Sequence, residues 1–517
     1  MRKGIIIGSA MTVLILAVGG AYWLLNKSDT TKTGKNMMYE QKRVLDPVNK
    51  QLKTLDISKL EAKEKLVIGA DVNQIQRLIA TNKLNYEELV GIYLNRIKKY
   101  DQNGPKLNAI TEINPNVLDE ARKLDQHASA NKASLHGMPV LLKDNIGTEK
   151  MPTSAGAVAL KDWVIGKDAT IVKNLKASGA LILGKTNMSE WANYMDPRMP
   201  SGYSGKTGQD KNPYLDATPS GSSAGSATAV TSDFAAVTIG TETNGSIISP
   251  AIAQSAVGFK PSRGMVSGEL VIPLSRHFDT PGPITRTVKD AYLTTSALIN
   301  QPIKAELSKE GLKGKRIGIL FDADSAISKN IISDLEVAGA TVVKGMKLEE
   351  NQQDFTTFDD ILKADFKTDL NQFLEKNQAP MKDLAAVIAF NKLDEARNMK
   401  YGQGNLEESE KNEATVASID QRADDLIKKA SKRIESLLTS NKLDALVDLN
   451  ADSLFLVPIA GNPELTIPAG YEKDGQPVGM TFVGPNKADE SIFEMGYAYE
   501  QISKNRKSPV ISADNSK

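Results

Sequence analysis

From Pro139 onward, short apolar runs alternate with stretches of helical periodicity, and this alternation constrains the fold more than any other feature. Val140–Leu142, Ala180–Leu183, Ala235–Ile239, Val257–Phe259, Ile317–Leu320 and Ala445–Val447 have the length and residue types of buried strands. Thr170–Ala177, Val288–Ile299 and Ser491–Ile502 read as helices among them. Strands and helices in alternation bury their apolar faces by layering helices on a sheet, so the expected class is α/β. Ahead of this region, Asp71 is placed to cap a helix running to about Ala80, and Tyr86, Leu89, Val90, Tyr93 and Ile97 mark one face of a second. Residues 349–440 are more charged and poor in strand signals, with a long capped stretch from about Glu410 to Leu438. They read as a helical insertion lying over the α/β core.

The N-terminus obeys a different rule. Arg2 and Lys3 precede Gly4–Leu25, which contains no charge. As a helix this run would span about 33 Å, enough for a hydrocarbon layer of about 30 Å. It reads as a single-pass membrane anchor with the bulk of the chain outside the cell, since a short basic tail ahead of a first apolar segment stays in the cytoplasm. Gly19-Gly20-Ala21 leaves a secretory signal cleaved after Ala21 as the other reading of residues 1–26. The charged residues 27–66 read as a polar tether, 67–505 as the folded domain and 506–517 as a polar tail.

Composition narrows the chemistry. A formal charge of +1 and an aromatic content of 5% give no case for nucleic acid. Cysteine is absent, which excludes disulfides, thiolate metal sites and a cysteine nucleophile. The three histidines, His127, His136 and His277, show no metal-ligand spacing, so a histidine-built metal site is not expected and the catalytic base is expected to be another residue. Nothing in the residues bears on oligomeric state.

Two motifs match only on paper. Gly179-Ala-Leu-Ile-Leu-Gly184-Lys185-Thr186 fits the phosphate-loop pattern, but Ala180–Leu183 is itself a strand candidate and a strand cannot serve as the anion nest. Gly221-Ser222-Ser223-Ala224-Gly225 fits a nucleophile elbow. That turn needs an apolar strand before it, whereas Asp216-Ala-Thr-Pro-Ser220 is turn sequence, and only His277 follows as a base. It is kept as a weaker alternative.

Three segments carry the chemistry. Lys143 ends the apolar run after His136-Gly-Met-Pro139. Thr218-Pro-Ser-Gly-Ser222-Ser223-Ala-Gly-Ser226 is a Gly/Ser loop. Gly240-Thr-Glu-Thr-Asn-Gly-Ser246-Ile-Ile-Ser-Pro-Ala251 is a loop opening into a helix. Singly, each has an ordinary reading as a solvated strand end, a turn or a helix start. Together they suggest a serine nucleophile with a lysine base, because glycines let backbone amides approach an oxyanion and a helix N-terminus adds positive potential.

At these residues the chain resembles the amidase signature family, over roughly Asp71 to Gln501. The signature runs from Thr218 through Ala251, supported by Leu135–Asn145, Leu183–Trp191, Phe259–Gly264, Asp279–Ile284 and Gly461–Gly470. The resemblance implies a three-layer α/β/α sandwich with a large mixed central sheet, here joined to an N-terminal transmembrane helix. It also implies a triad of Lys143, Ser222 held through a cis peptide bond, and the nucleophile Ser246. Ser222 and Ser246 stand 24 residues apart, as the family's pair does. Backbone amides of Thr243, Asn244, Gly245 and Ser246 would hold the oxyanion. The implied reaction is hydrolysis of a small-molecule or peptide-like carboxamide, without a cofactor or metal. Alternatives are the glutaminase subunit of a tRNA-dependent amidotransferase and an inactive binding or scaffold homologue. The sequence departs from the family at Asn244, where glycine or aspartate is frequent, and at Ile248, where arginine is frequent. Trp191, Tyr194, Met195 and Tyr203 read either as an acyl pocket lining or as ordinary packing.

Overall fold

The computed structural model describes residues 37–126 and 134–512. The expected anchor Gly4–Leu25 lies outside the described residues. Among the described residues, no helix is long and apolar enough to cross a membrane.

Capping chemistry places the first helices. Asp71 accepts from the Gln74 amide at 2.7 Å while Gln74 returns a bond to the Asp71 amide at 2.8 Å, and Val72–Ala80 follows. Asn85 and Glu88 form the same reciprocal cap ahead of Tyr86–Arg96. Helices Thr170–Ala177 and Val288–Ile299 begin and end where periodicity places them.

The stretch expected as a polar tether is folded from Lys42 onward. Lys42–Leu52 and Ile57–Glu64 are helices, with Val44, Val48, Leu52 and Leu60 buried. Val44, Val48 and Leu52 recur every fourth residue, so a narrow apolar stripe hides inside a polar composition. Arg43 adds a salt bridge to Glu112 at 3.3 Å and another to Asp162.

The strands, in chain order, are β1 (Ile110–Ile113), β2 (Pro139–Lys143), β3 (Leu181–Thr186), β4 (Tyr203–Ser204) and β5 (Gly208–Gln209). Next come β6 (Val237–Glu242), β7 (Val257–Lys260), β8 (Thr280–Thr285) and β9 (Arg316–Ile319). The last are β10 (Thr341–Val343), β11 (Ala445–Leu449), β12 (Glu464–Tyr471) and β13 (Pro477–Val483). All but the β4–β5 hairpin join one 11-stranded sheet in the order β1-β3-β2-β6-β8-β7-β12-β13-β11-β9-β10. The sheet is mixed: β2 runs parallel to β3 and β6, and β9 parallel to β10 and β11, while the remaining pairs are antiparallel. Helices supply the parallel crossovers, Thr170–Ala177 between β2 and β3 and Ala326–Val337 between β9 and β10.

β8 has no strand signature because Pro281 and Pro283 interrupt it. The strand survives because its pairing with β7 is confined to Ile284 and Thr285, while β6 runs along its length from Thr280 to Ile284. Gly282 is required there, since a Cβ would meet the Phe259 carbonyl oxygen at 2.2 Å.

Two 25-residue helices, Gln352–Lys376 and Val416–Ser440, dominate the later helical segment. The long stretch expected from about Glu410 to Leu438 is the single helix Val416–Ser440, capped by Thr415, while Glu410 itself ends the short helix Gly404–Glu410. Phe366 of the first long helix sits 5.8 Å from the Trp191 ring and 5.1 Å from that of Tyr194, centre to centre. Tyr203 meets Tyr401 edge-on at 4.9 Å. Trp191, Tyr194, Met195 and Tyr203 are all buried in this apolar cluster, so they pack the helical segment onto the core.

Candidate active site

β2 runs between β3 and β6, and its last residue delivers Lys143 into the interior with no solvent exposure. The ammonium nitrogen donates to Ser222 Oγ at 2.7 Å and to both the carbonyl oxygen and Oγ1 of Thr241 at 3.0 Å. Burial pulls its pKa down to about 7, against the opposing pull of the Asp279 and Glu242 carboxylates. A lysine held there is neutral in a large fraction of molecules near neutral pH and is able to accept a proton.

Ser222 follows a cis peptide bond from Gly221 and opens the turn into helix Ala224–Thr231. Gly221 is needed because a Cβ would lie 2.3 Å from Ser189 Oγ. Ser223 fastens this turn to β6: its hydroxyl donates to the Thr241 carbonyl at 3.1 Å and accepts from the Thr241 amide at 3.2 Å. Its own amide donates to the Ser246 carbonyl at 3.1 Å.

β6 ends at Glu242, and the chain turns through Thr243–Ser246 before helix Ile248–Ala253. Gly245 makes the turn with φ of +79°, a conformation that favours glycine. Glu242 Oε2 accepts the Ile247 and Ile248 amides at 2.7 and 3.0 Å. Thr243 Oγ1 donates to Asp279 Oδ1 at 2.6 Å, and Asn244 Nδ2 to the Phe455 carbonyl at 2.9 Å. Ser246 retains 7% exposure while Lys143 and Ser222 have none, so of the three it is the one open to a ligand. Lys143 and Ser222 are thus in direct contact, and Ser246 is tied through its main chain to the residue after Ser222. Thr243, Asn244 and Gly245 form the loop leading into it.

Sequence reasoning passed over four residues here: Thr241, Asn145, Glu242 and Asp279. Asn145 Nδ2 donates to Thr241 Oγ1 at 3.0 Å. Asp279, which opens one of the segments that carry the family resemblance, also accepts the Leu274 and Ser275 amides at 2.7 and 3.1 Å. The only sequence signal was position, two residues from Lys143 for Asn145 and next to the serine loop for Glu242.

The two paper motifs resolve by geometry. Lys185 of the phosphate-loop match lies within β3 and is buried, donating to Thr153 Oγ1 at 3.0 Å and to the Ile146 carbonyl. Residues 210–220, ahead of the elbow match, contain no strand. His277 is bound on both ring nitrogens by Asp365 and Asp420, at 2.8 and 3.1 Å. Among the described residues, no group of three metal-ligating side chains is placed to hold an ion.

Residues 88–493 match the family profile described as Amidase. The chain belongs to the amidase signature family. A probable amidase of Arabidopsis thaliana is 37% identical over 85% of this chain and 91% of its own length. Among solved structures, an amidase family protein from Bacillus anthracis superposes with a TM-score of 0.89 at 46% identity, covering 93% of this chain and 100% of that one. The native peptide amidase of Stenotrophomonas maltophilia superposes with a TM-score of 0.81 at 35% identity, over 86% of this chain and 99% of that one. This amidase-signature chain is an amide-hydrolysing enzyme with the family's large mixed sheet.

Proposed function

We propose that the enzyme cleaves the carboxamide of a small or peptide-like substrate through an acyl-enzyme on Ser246. Neutral Lys143 takes the Ser222 proton as Ser222 takes that of Ser246, and Ser246 Oγ attacks the amide carbon. Lys143 then returns its proton through Ser222 to the departing nitrogen, which leaves as ammonia or an amine. Water, deprotonated along the same route, hydrolyses the ester and regenerates Ser246. The family resemblance assigns the oxyanion to the backbone amides of Thr243, Asn244, Gly245 and Ser246, and the Glu242 carboxylate accepts the amides of the next two residues, Ile247 and Ile248, instead of these. The observation that carries this reading is the 2.7 Å contact between Ser222 and a lysine whose burial brings its pKa to about 7.

The substrate class rests on likeness to the peptide amidase and on Ile248. That residue is buried where many family members carry arginine, so it offers no cation to a substrate carboxylate, and a neutral carboxamide suits the site. The uncharged run Gly4–Leu25 supports a further proposal, a cell-membrane anchor with the catalytic region outside. Its test is protease accessibility in intact cells, where complete protection of the catalytic region would sink it.

The deciding experiment is labelling with a fluorophosphonate probe and mapping the modified residue. Modification at Ser246 is expected, lost in Ser246→Ala. Modification elsewhere refutes the mechanism. Turnover that needs glutamine and a co-purifying subunit would favour the amidotransferase reading. A folded sample that never reacts would favour a binding protein.

A further inference from the structure

A neutral lysine amine carries two N–H bonds and one lone pair, and general-base chemistry needs the lone pair to point at the proton it takes. Three oxygens surround Lys143 Nζ: Ser222 Oγ at 2.7 Å and the Thr241 carbonyl and hydroxyl oxygens at 3.0 Å each. The Thr241 carbonyl can only accept, so it takes one N–H. The Thr241 hydroxyl oxygen has two lone pairs: Asn145 Nδ2 at 3.0 Å takes one, and the other is placed for the second N–H of Lys143. With both N–H bonds directed at Thr241, the third direction, towards Ser222 Oγ, holds the lone pair.

We propose that Thr241 is the positioning residue of this active site, holding the Lys143 amine so that its lone pair faces Ser222. This rests on the acyl-enzyme reading above. The arrangement also works after proton transfer, because the ammonium's three N–H bonds then match the same three acceptors. No group has to reorient between the neutral and charged states. β6 supplies the rigidity, since Thr241 is paired with Pro281 of β8 and its carbonyl also receives Ser223 Oγ.

The test is Thr241→Val, which keeps the shape and removes the hydroxyl, beside Thr241→Ser, which restores it. In Thr241→Val the amine is free to turn an N–H towards Ser222. We expect kcat to fall by about tenfold or more, with KM within about twofold. The acid limb of the kcat/KM profile moves to lower pH, because the ammonium has lost an acceptor. Thr241→Ser should return kcat to within about threefold of the parent. Unchanged kcat and an unmoved acid limb in Thr241→Val would overturn the assignment. So would equal losses in both variants with the limb in place, which is the pattern of a structural role. Should Thr241→Val fail to fold, Thr241→Ala carries the same comparison. Fluorophosphonate labelling of the parent is the control. Absence of label on Ser246 removes the acyl-enzyme reading itself, whereas labelled Ser246 with parental rates in Thr241→Val removes only the role of Thr241.

Discussion

Asn244 donates its side-chain amide to the Phe455 carbonyl at 2.9 Å, which fastens the loop carrying Ser246 to the chain ahead of helix Leu456–Ala460. Phe455 in turn stacks on Phe355 of the first long helix, ring centres 4.0 Å apart. Replacing Asn244 by glycine removes the tether and adds backbone freedom one residue before Gly245. A lost hydrogen bond of about 1 kcal/mol predicts a fall in kcat/KM of about fivefold. Steady-state kinetics on a simple carboxamide will measure it.

Lys143→Met should lower kcat by about 10²- to 10⁴-fold, the range expected for loss of a positioned base. The fold should not suffer, because an amine buried without solvent is exchanged for an apolar chain of similar length. Undiminished turnover in this variant would end the case for Lys143 as base.

In the parent enzyme, kcat/KM should rise with pH through a limb near 7, where Lys143 loses its proton. The unfolded lysine titrates near about 10.4. Between these values the unfolded chain binds the extra proton, so this group makes stability increase as pH rises from about 7 towards about 10. Comparing denaturation midpoints of parent and Lys143→Met at pH 6 and pH 9 will isolate it, the parent gaining on the variant at the higher pH.

His277 should act in the opposite sense. Burial works against its charge, but the hydrogen bond and charge of Asp365 outweigh burial and raise its pKa. Its stabilising contribution is complete below the unfolded value of about 6.5 and fades as pH climbs through the raised folded value. His277→Gln should therefore cost more stability at pH 5.5 than at pH 9, read by chemical denaturation.

Phe366→Ala should destabilise by about 3–5 kcal/mol, since the ring is fully buried against Trp191 and Tyr194. A loss well under this range in urea titration would mean that the long helix packs loosely on the core.

The elements that could be read in advance are those whose signal is local. Asp71 with Gln74 announces a cap, and Thr170–Ala177 and Val288–Ile299 have full helical periodicity. Local patterning misled where composition hid it. The stripe Val44, Val48, Leu52 was masked by surrounding charge, and β8 by its two prolines. The aromatics before the serine loop gave no hint that their partner would be Phe366, far along the chain.

Residue type and spacing alone determined that Lys143 ends a strand, that Ser222 and Ser246 sit in glycine-rich loops 24 residues apart, and that cysteine chemistry is excluded. Only the tertiary structure decided that a lysine 79 residues before Ser222 meets it at 2.7 Å. That contact depends on β2 pairing in parallel with β6, which sets Lys143 beside Thr241. It depends equally on the surrounding core, because burial is what draws the lysine's pKa towards neutrality. Spacing is a property of the chain, whereas pairing register and burial belong to the folded sheet. The roles of Thr241, Asn145 and Asp279 became visible only there.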